Sequence, residues 1–399
     1  MKKLFNLLVV VILAVCTLTL TACRGNDKDS FKIGLICLHD ESSTYDKNFI
    51  DSMYRALDEL GLENTQLELV TGIGENETCY QKASELAQTC DIVFADSFGH
   101  EDFMIQAAQE NEEVWFCHST GTKAHTKKLN NYFNAFASIY EGRYLAGIAA
   151  GMKLNEMIEN NQITAEEAVM GYVGAFPYAE VVSGYTSFYL GAKSVCPSVT
   201  MKVRYTSSWY DYDKEKAAAE ALVKTDNCVL ISQHADSYGA PEACESLGIP
   251  NVAYNGSTAK KCPETYLVAS KIDWTPYYVK MIKAKMEGET VSEKDYTGSL
   301  ATGSVKIDEL GKNVAEGTKE ALDAAIEGLK NGTIHVFDTN NFAVKGEKLT
   351  SYMADVDDFG DFVHETEVIS EGYFHESEYR SAPCFDLRID GITLLNEKF

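Results

Sequence analysis

The regular alternation of short apolar segments with amphipathic ones, which occurs twice along the chain, constrains the fold most. The first apolar segment, 31–38, is almost continuously hydrophobic, which is typical of a parallel strand buried on both faces. Further strands are predicted at 66–71, 91–95 and 114–117, with helices at 46–60, 77–87 and 101–110. Strands that alternate with helices predict βαβ units and a parallel sheet.

The same alternation starts again after a polar connector at 160–166. Strands are predicted at 168–173, 200–205, 229–232 and 252–254, with helices at 179–194, 213–224 and 237–247. A predicted helix at 140–153, between the two series, contains three glycines. Each interior glycine costs about 1 kcal/mol relative to alanine, so three of them indicate very close packing against a neighbour. The sequence therefore predicts an α/β fold with two lobes, each built on a doubly wound parallel sheet.

An aromatic and acidic stretch, 207–213, lies where one predicted strand ends and a helix begins. Small ligands bind at the carboxyl ends of strands in open α/β sheets. The flat side chain of Trp209 can stack on a planar ligand there, and a carboxylate can accept its N–H groups. Two interpretations stay open from this stretch alone. It is either a ligand site, or a helix cap formed by Asp211 or Asp213 with Trp209 partly in the core.

The first 22 residues are predicted to be a secretory signal peptide. Two lysines precede an apolar run over 4–20, and the run ends in Leu20-Thr21-Ala22-Cys23. This ending resembles a bacterial lipobox, whose cysteine is acylated. Residues 23–30 are therefore expected to be a tether, lipidated at Cys23, on the extracytoplasmic face of the cell membrane. A single membrane-spanning anchor is the alternative, because a span needs about 20 apolar residues.

The balance of charges and the cysteines exclude some classes of partner and site. The chain has 60 acidic and 35 basic residues, a formal net charge of −25. This charge repels phosphate backbones, so no nucleic acid is expected as a partner. The nine cysteines other than Cys16 and Cys23 are scattered in mostly apolar segments without a CxxC motif. We expect most of them to be buried free thiols.

No segment has the spacing of a catalytic or metal site. There is no GxSxG, HExxH or P-loop motif, and the histidines and cysteines lack metal-ligand spacing. An acidic group at 355–361 lacks the central glycine and terminal glutamate of an EF-hand loop. We therefore expect no enzymatic activity, no metal and no cofactor.

Several short stretches match one known family in their order and spacing. They are DSFG at 96–99, HSTG at 118–121, YEGRYLAG at 140–147, FPYAEV at 176–181, WYD at 209–211 and QHADS at 233–237. The chain thereby resembles the BMP family of substrate-binding lipoproteins of ABC transporters, which includes purine nucleoside receptors. More narrowly, it is similar to the branch associated with free purine bases. The resemblance implies a type I periplasmic-binding-protein fold, in which two lobes joined by a hinge close on a ligand.

With this fold, the chain is expected to divide into two lobes and an extension. The first lobe would comprise 31–160 with a return segment at about 262–290. The second lobe would comprise 161–261 with part of 291–332. Residues 333–399 would form a C-terminal extension that packs on the lobes.

The resemblance also implies which residues bind the ligand. Phe49 matches the family's aromatic residue after the first strand, and Trp209 matches the aromatic of the second lobe. The two would enclose a flat ring between them. Phe98 would provide another stacking face. Asp236 would accept hydrogen bonds from ring or exocyclic N–H groups.

Three further residues are expected near the ligand. His118 follows a strand end and would support either the backbone or a ligand group. Glu180 opens a helix, so interaction with the helix dipole is its alternative role. Asn255 stands where the family usually has an aspartate, and Ile50 where it often has asparagine. Both departures weigh against the family's usual ribose contacts, since an amide cannot accept a hydrogen bond with full charge.

The implied function is that of an extracytoplasmic substrate-binding lipoprotein of an ABC importer. It would capture a purine base or nucleoside by aromatic stacking and lobe closure, act as a monomer, and deliver the ligand to permease and ATPase subunits. One alternative is the same fold with another planar ligand such as riboflavin. Others are a ligand-sensing surface receptor or adhesin without transport, and a nucleosidase.

Overall fold

The computed structural model describes residues 28–356 and 363–396. The predicted signal peptide, 1–22, and the predicted lipidation site, Cys23, lie outside these residues. Within them, no helix combines the length and the apolar character that crossing a bilayer requires. Each of the nine cysteines in this part is buried and free, which confirms the prediction of buried thiols.

The first part of the chain alternates strands and helices as predicted. The strands are β1 (Ile33–Ile36), β2 (Leu67–Val70), β3 (Ile92–Ala95), β4 (Trp115–Ser119) and β5 (Tyr132–Ala137). The helices are α1 (Thr44–Leu60), α2 (Glu77–Leu86), α3 (Glu101–Glu110) and the short α4 (Ala124–Lys127). Leu35 packs into the core on one face of the sheet and Ile36 into the core on the other. Burial on both faces explains the continuous apolar run of β1.

A long helix, α5 (Ile139–Glu159), carries the chain to the second series. That series contains β6 (Val169–Gly174), α6 (Ala179–Val195), β7 (Thr200–Tyr205), α7 (Tyr212–Lys224), β8 (Leu230–His234), α8 (Gly239–Leu247) and β9 (Asn251–Tyr254). All of its strand pairs are parallel. The two series therefore form two similar lobes.

After β9 the chain crosses between the lobes twice more. Its elements are β10 (Tyr266–Ile272), α9 (Thr275–Glu287), β11 (Asp295–Gly298), β12 (Val305–Ile307) and α10 (Thr318–Lys330). Strand β11 pairs with β5 in the first lobe, and β12 pairs with β10 in the second.

The predicted return segment, 262–290, needs a correction at its strand. Strand β10 was expected in the first lobe, but it pairs in parallel with β9 of the second lobe. Strand β10 is almost wholly buried. Its pairing with β9 makes it part of the second sheet. The chain returns to the first lobe only after Ile272, through α9, which packs against α1.

The C-terminal extension contacts both lobes. It contains only short strands, β13 (Met353–Ala354), β14 (Thr366–Glu367), β15 (Ile369–Ser370), β16 (Tyr373–Phe374) and β17 (Ile392–Leu394). Strand β17 pairs in parallel with β7, and Phe337 and Phe385 join the core of the second lobe. On the first lobe, the Ser381 hydroxyl accepts a hydrogen bond of 2.8 Å from the Phe136 backbone N–H.

The strand orders confirm the predicted α/β class with two parallel sheets. The first sheet has the order β11-β5-β4-β3-β1-β2, and the second has the order β12-β10-β9-β8-β6-β7-β17. In the second sheet, β12 is antiparallel to its neighbour. Strand β5 was not predicted, although it is buried along its whole length.

The glycine-containing helix α5 packs directly against α6, as predicted. A Cβ atom on Gly147 would lie 2.0 Å from the Phe188 carbonyl oxygen, and one on Gly191 would lie 2.0 Å from the Tyr144 carbonyl oxygen. The two backbones therefore touch, and only glycine fits at these positions.

Candidate functional site

The carboxyl ends of strands from both sheets meet at one cavity between the lobes, which we call the inner cavity. Across it, the Thr44 backbone N–H donates a hydrogen bond of 2.9 Å to the Asp236 carbonyl oxygen, so the lobes are in contact. Its volume is about 30 Å³. Its walls are formed by Leu38, His39, Tyr45, Asp46, Ser97, Phe98 and Thr120 of the first lobe and by Glu180, Trp209, His234, Asp236 and Tyr254 of the second.

Trp209 reaches the wall from the loop between β7 and α7. Asp211 caps α7 by accepting a hydrogen bond of 3.0 Å from the Lys214 backbone N–H. The helix-cap interpretation therefore holds for Asp211, and Trp209 packs partly against the core of the second lobe while it also reaches the cavity wall. The Trp209 carbonyl oxygen accepts a hydrogen bond of 2.9 Å from the Asp236 N–H. This bond joins the loops after β7 and β8 and holds Trp209 and Asp236 in the same wall.

Aromatic side chains from both lobes surround one side of the inner cavity. Trp209 lies 5.2 Å from Phe176 in an edge-on arrangement, and 6.1 Å from Tyr178, measured between ring centroids. Phe98 of the first lobe lies 6.3 Å from Tyr178. The structure thus brings the predicted aromatics Phe98 and Trp209 to one cavity from opposite lobes. Tyr45 is a further aromatic in its wall.

The Asp236 carboxyl group is buried and surrounded by other acids. Burial, together with the neighbouring acids Glu215, Asp46 and Glu180, raises the pKa of Asp236 well above its usual range. A carboxyl group that keeps its proton can both donate and accept hydrogen bonds. Such a group matches a ligand edge on which an N–H lies beside a ring nitrogen.

The first lobe contributes two carboxyl groups in opposite states. Burial alone would raise the pKa of Asp46, but hydrogen bonds from His39 and Ser43 outweigh it and lower that pKa. The His39 backbone N–H donates to Asp46 at 2.6 Å. Behind it, burial and the neighbouring Asp46 raise the pKa of Asp96 well above its usual range. Asp46 therefore lines the cavity as an ionised carboxylate, and Asp96 lies behind it as a protonated carboxyl group.

One group of side chains has the spacing of a cation site. Cys37, Asp46 and Asp96 each offer a ligand atom, and these atoms lie within 4.8 Å of one another. Burial and the two aspartates raise the pKa of the Cys37 thiol. Metal ligands must be deprotonated, so a protonated thiol beside a protonated Asp96 favours hydrogen bonding among these groups over metal binding.

Glu180 and His234 form a polar pair in the second-lobe wall. Glu180 lies in the first turn of α6, the position of its alternative role with the helix dipole. Its Oε1 atom is 3.4 Å from the His234 Nε2 atom. Burial lowers the pKa of His234, although Glu180 opposes this. His234 therefore stays neutral, and its ring lies 4.3 Å from the ring of Tyr254.

The structure places Phe49 in the core rather than in the cavity wall. Its ring stacks on Trp274 at 4.3 Å, and it is 1% exposed. Tyr45, one helical turn earlier, lies 4.9 Å from Phe49 and reaches the cavity instead. Tyr45 lies in the first turn of α1, the end of the helix that follows β1, so it is nearer the strand edge than Phe49 is. The aromatic residue after the first strand that lines the inner cavity is therefore Tyr45.

His118 and Asn255 lie behind the wall. The His118 Nε2 atom is 2.6 Å from the Ser97 carbonyl oxygen, and burial lowers the pKa of His118 to about 3. Neutral His118 therefore supports the turn that carries Phe98. Asn255 has a left-handed backbone, with φ of 62°, and its side-chain nitrogen makes no hydrogen bond within the described residues. His118 therefore positions another residue of the wall, whereas Asn255 lies outside the wall.

The sequence analysis did not assign eight of the twelve wall residues to the site. They are Leu38, His39, Tyr45, Asp46, Ser97, Thr120, His234 and Tyr254. Six of them lie at or within three residues of the carboxyl end of a strand, and Tyr45 and Asp46 lie in the first turn of α1. The position of the strand ends was therefore the available signal for most of them.

A second cavity, which we call the outer cavity, adjoins the aromatic cluster and has a volume of about 220 Å³. The lobes contribute Phe98, Thr120, Thr122, Phe136, Pro177, Tyr178, Ala179, Glu180 and Trp209, and the extension contributes Asp355, His364, Arg380, Ala382, Pro383, Cys384 and Asp386.

Comparison with known families agrees with this geometry. Residues 33–339 match the model of the Bmp family, described as PnrA-like ABC transporter substrate-binding proteins. This match covers most of the chain. The chain belongs to the Bmp family. The resemblance predicted from the short motifs is confirmed, and the family is one of solute-binding proteins rather than enzymes.

Two relatives of this Bmp-family protein are named for different ligands. A protein of Brucella abortus named as a purine-binding protein is 30% identical over 312 residues, which cover 74% of this chain and 83% of that protein. A protein of Haloferax volcanii named as an ABC transporter glucose-binding protein, TsgA13, is 34% identical over 247 residues, 62% of this chain. The matched part is only 59% of the length of TsgA13.

Solved structures support the fold. An ABC transporter solute-binding protein of Aeropyrum pernix K1 has a TM-score of 0.63 at 13% identity, over 77% of this chain and 93% of that one. The predicted type I periplasmic-binding-protein fold is therefore confirmed. Residues beyond 339, which include most of the extension, lie outside the part matched by the Bmp model.

Proposed function

We propose that this Bmp-family protein captures a purine, as base or nucleoside, in the cavity between its lobes and delivers it to an ABC permease and its ATPase. The observation that carries the proposal is the placement of Trp209 and Asp236 in one wall, opposite Phe98 and Tyr45 of the other lobe. A purine has flat apolar faces and a polar edge. Aromatic rings suit the faces, and a protonated carboxyl group suits the edge.

The energies of these contacts are sufficient for capture. Stacking contributes about 1–3 kcal/mol per base, and a hydrogen bond to the protonated, uncharged carboxyl group of Asp236 contributes about 0.5–1.5 kcal/mol. Lobe closure and desolvation offset part of this gain. Because the inner cavity has only about 30 Å³ in the closed arrangement, a ring enters when the lobes separate. Hinge closure around the ring then completes the site.

A ligand panel tests this proposal. In thermal unfolding, adenine, guanine, hypoxanthine or their nucleosides should raise the melting temperature, because a ligand that binds only the folded state stabilises it. Riboflavin and glucose serve as comparison ligands for a different planar ring and for the sugar named in the Haloferax relative. A shift with either of these and none with any purine would contradict the proposed ligand class.

We also propose that the protein is a lipoprotein held at the extracytoplasmic face of the membrane by Cys23. The support is the sequence Leu20-Thr21-Ala22-Cys23 after an apolar run. Acylated wild-type protein should fractionate with membranes, and Cys23→Ala should lose the lipid. Mass spectrometry of the N-terminal peptide distinguishes the two. A wild-type peptide that carries no acyl group would contradict the proposal.

A further inference from the structure

The outer cavity adjoins the inner one. The two share the lining residues Phe98, Thr120, Glu180 and Trp209, so a single ligand can extend from one into the other. The outer volume of about 220 Å³ is several times the roughly 30 Å³ that one water molecule occupies in the liquid. A ring stacked on Trp209 therefore has room for a substituent on this side.

The extension builds much of the wall of the outer cavity and is bonded to both lobes. Seven of the lining residues come from the extension. Ser381, next to the wall, bonds the Phe136 N–H of the first lobe, and β17 pairs with β7 of the second. Most of the extension lies beyond the part matched by the Bmp model, so the family model does not describe this wall.

Arg380 is the buried cation of this wall. It is 8% exposed. Its Nη2 atom donates to the Pro383 carbonyl oxygen at 3.1 Å, and its Nη1 atom lies 3.9 Å from Asp355 Oδ1. Neither Nε nor Nη1 makes a hydrogen bond within the described part of the chain. Leaving a buried donor unsatisfied is unfavourable, so the guanidinium is suited to a ligand oxygen.

The charges of the wall select the kind of oxygen. The acids Asp355, Asp386 and Glu180 line the same cavity and outnumber the single guanidinium. A phosphate or carboxylate on the ligand would be repelled by this excess of acid. Hydroxyl groups, in contrast, can donate to the carboxylates and accept from Arg380. An uncharged, hydroxyl-bearing group fits the wall best.

We infer that the outer cavity is a second subsite, built by the C-terminal extension, which binds an uncharged hydroxylated substituent of the ring with Arg380 as its specificity-determining residue. This inference rests on the proposed function. It makes a nucleoside the preferred ligand over a free base or a nucleotide. The residues differ from those of the usual ribose contacts, at which this chain has Ile50 and Asn255.

Calorimetric titrations with adenine, adenosine and adenosine monophosphate test the subsite. Wild-type protein should bind adenosine at least about 10-fold more tightly than either of the others, which corresponds to about 1.4 kcal/mol. Arg380→Met should remove this preference for adenosine over adenine and leave adenine binding unchanged. Arg388→Met, which alters the other arginine of the extension, is the matched control and should change neither affinity.

A second variant tests the subsite independently, in case Arg380→Met does not fold. Ala382→Phe should fill the outer cavity, exclude adenosine and retain adenine, with its melting temperature checked against wild type. Equal affinities of wild-type protein for adenine and adenosine would overturn the subsite, as would equal losses of both in either variant. If none of adenine, guanine, hypoxanthine and their nucleosides binds the wild type, the proposed function itself falls, which separates the two failures.

Discussion

At the scale of single residues, the family resemblance located part of the cavity wall, and the strand end before residues 207–213 located Trp209 as well. Trp209, Phe98, Glu180 and Asp236 were expected near the ligand, and all four line the inner cavity. Phe49 has the right chemistry, but it lies one helical turn too far along α1. A pattern of residue types cannot distinguish successive turns on one helix face, because both point the same way.

Glu141 provides a test of how stability depends on pH where the chain crosses between the lobes. It lies in the first turn of α5, where the chain first crosses between the lobes, and it accepts a hydrogen bond of 2.7 Å from the Leu300 N–H, between β11 and β12. Burial raises the pKa of Glu141 to about 7, whereas in the unfolded chain it should be about 4.3. The folded state therefore binds this proton more tightly. The resulting stability is lost as the pH rises from about 4 to about 7.

Replacing this carboxyl group should remove that part of the pH dependence. At pH 8, Glu141→Gln should be more stable than wild type by about 1–3 kcal/mol, since each unit of pKa shift is worth about 1.4 kcal/mol. Near pH 4 the two should be equal. Urea unfolding at both pH values measures the difference, and Glu156→Gln on the same helix is the control. A difference that does not change with pH would show that burial of Glu141 does not act in this way.

At the scale of elements, continuous apolar runs and helical spacing located most strands and helices. Strand β5 was not predicted because Asn134 interrupts its apolar sequence. The fold accommodates this buried amide through hydrogen bonds with the backbone of Gly121 and with the Ser381 carbonyl oxygen, which lies 247 residues away. Hydrogen-bond partners that are so far apart in sequence cannot be recognised from the local sequence pattern.

The contact between α5 and α6 gives a prediction for an element. Gly147→Ala should lower the free energy of unfolding by about 1–3 kcal/mol or more, the usual effect of overpacking, because its Cβ atom would overlap the Phe188 carbonyl group. Gly256→Ala is the control, since a Cβ atom there meets no other atom within 4 Å. Denaturant unfolding compares them. Equal stability of the two variants would contradict the close packing of these helices.

At the scale of the whole molecule, the sequence predicted two lobes but not how they close. Thr44 and Asp236 bond across the cleft although they are 192 residues apart in sequence. His39 and Tyr210 also meet across it, with ring centroids 5.3 Å apart. Such contacts depend on the relative placement of the lobes. For the same reason, the sequence did not indicate that the extension forms one wall of a cavity at the cleft.

The central claim is that a purine binds between the lobes against Trp209. Isothermal titration calorimetry with adenine and adenosine, on wild-type protein and on Trp209→Ala, tests it most directly. The variant should bind about 10-fold or more weakly, in line with about 1–3 kcal/mol of stacking, at an unchanged melting temperature. Trp209→Phe, which keeps an aromatic face, should recover most of the affinity. Equal affinities of wild type and folded Trp209→Ala would contradict the claim.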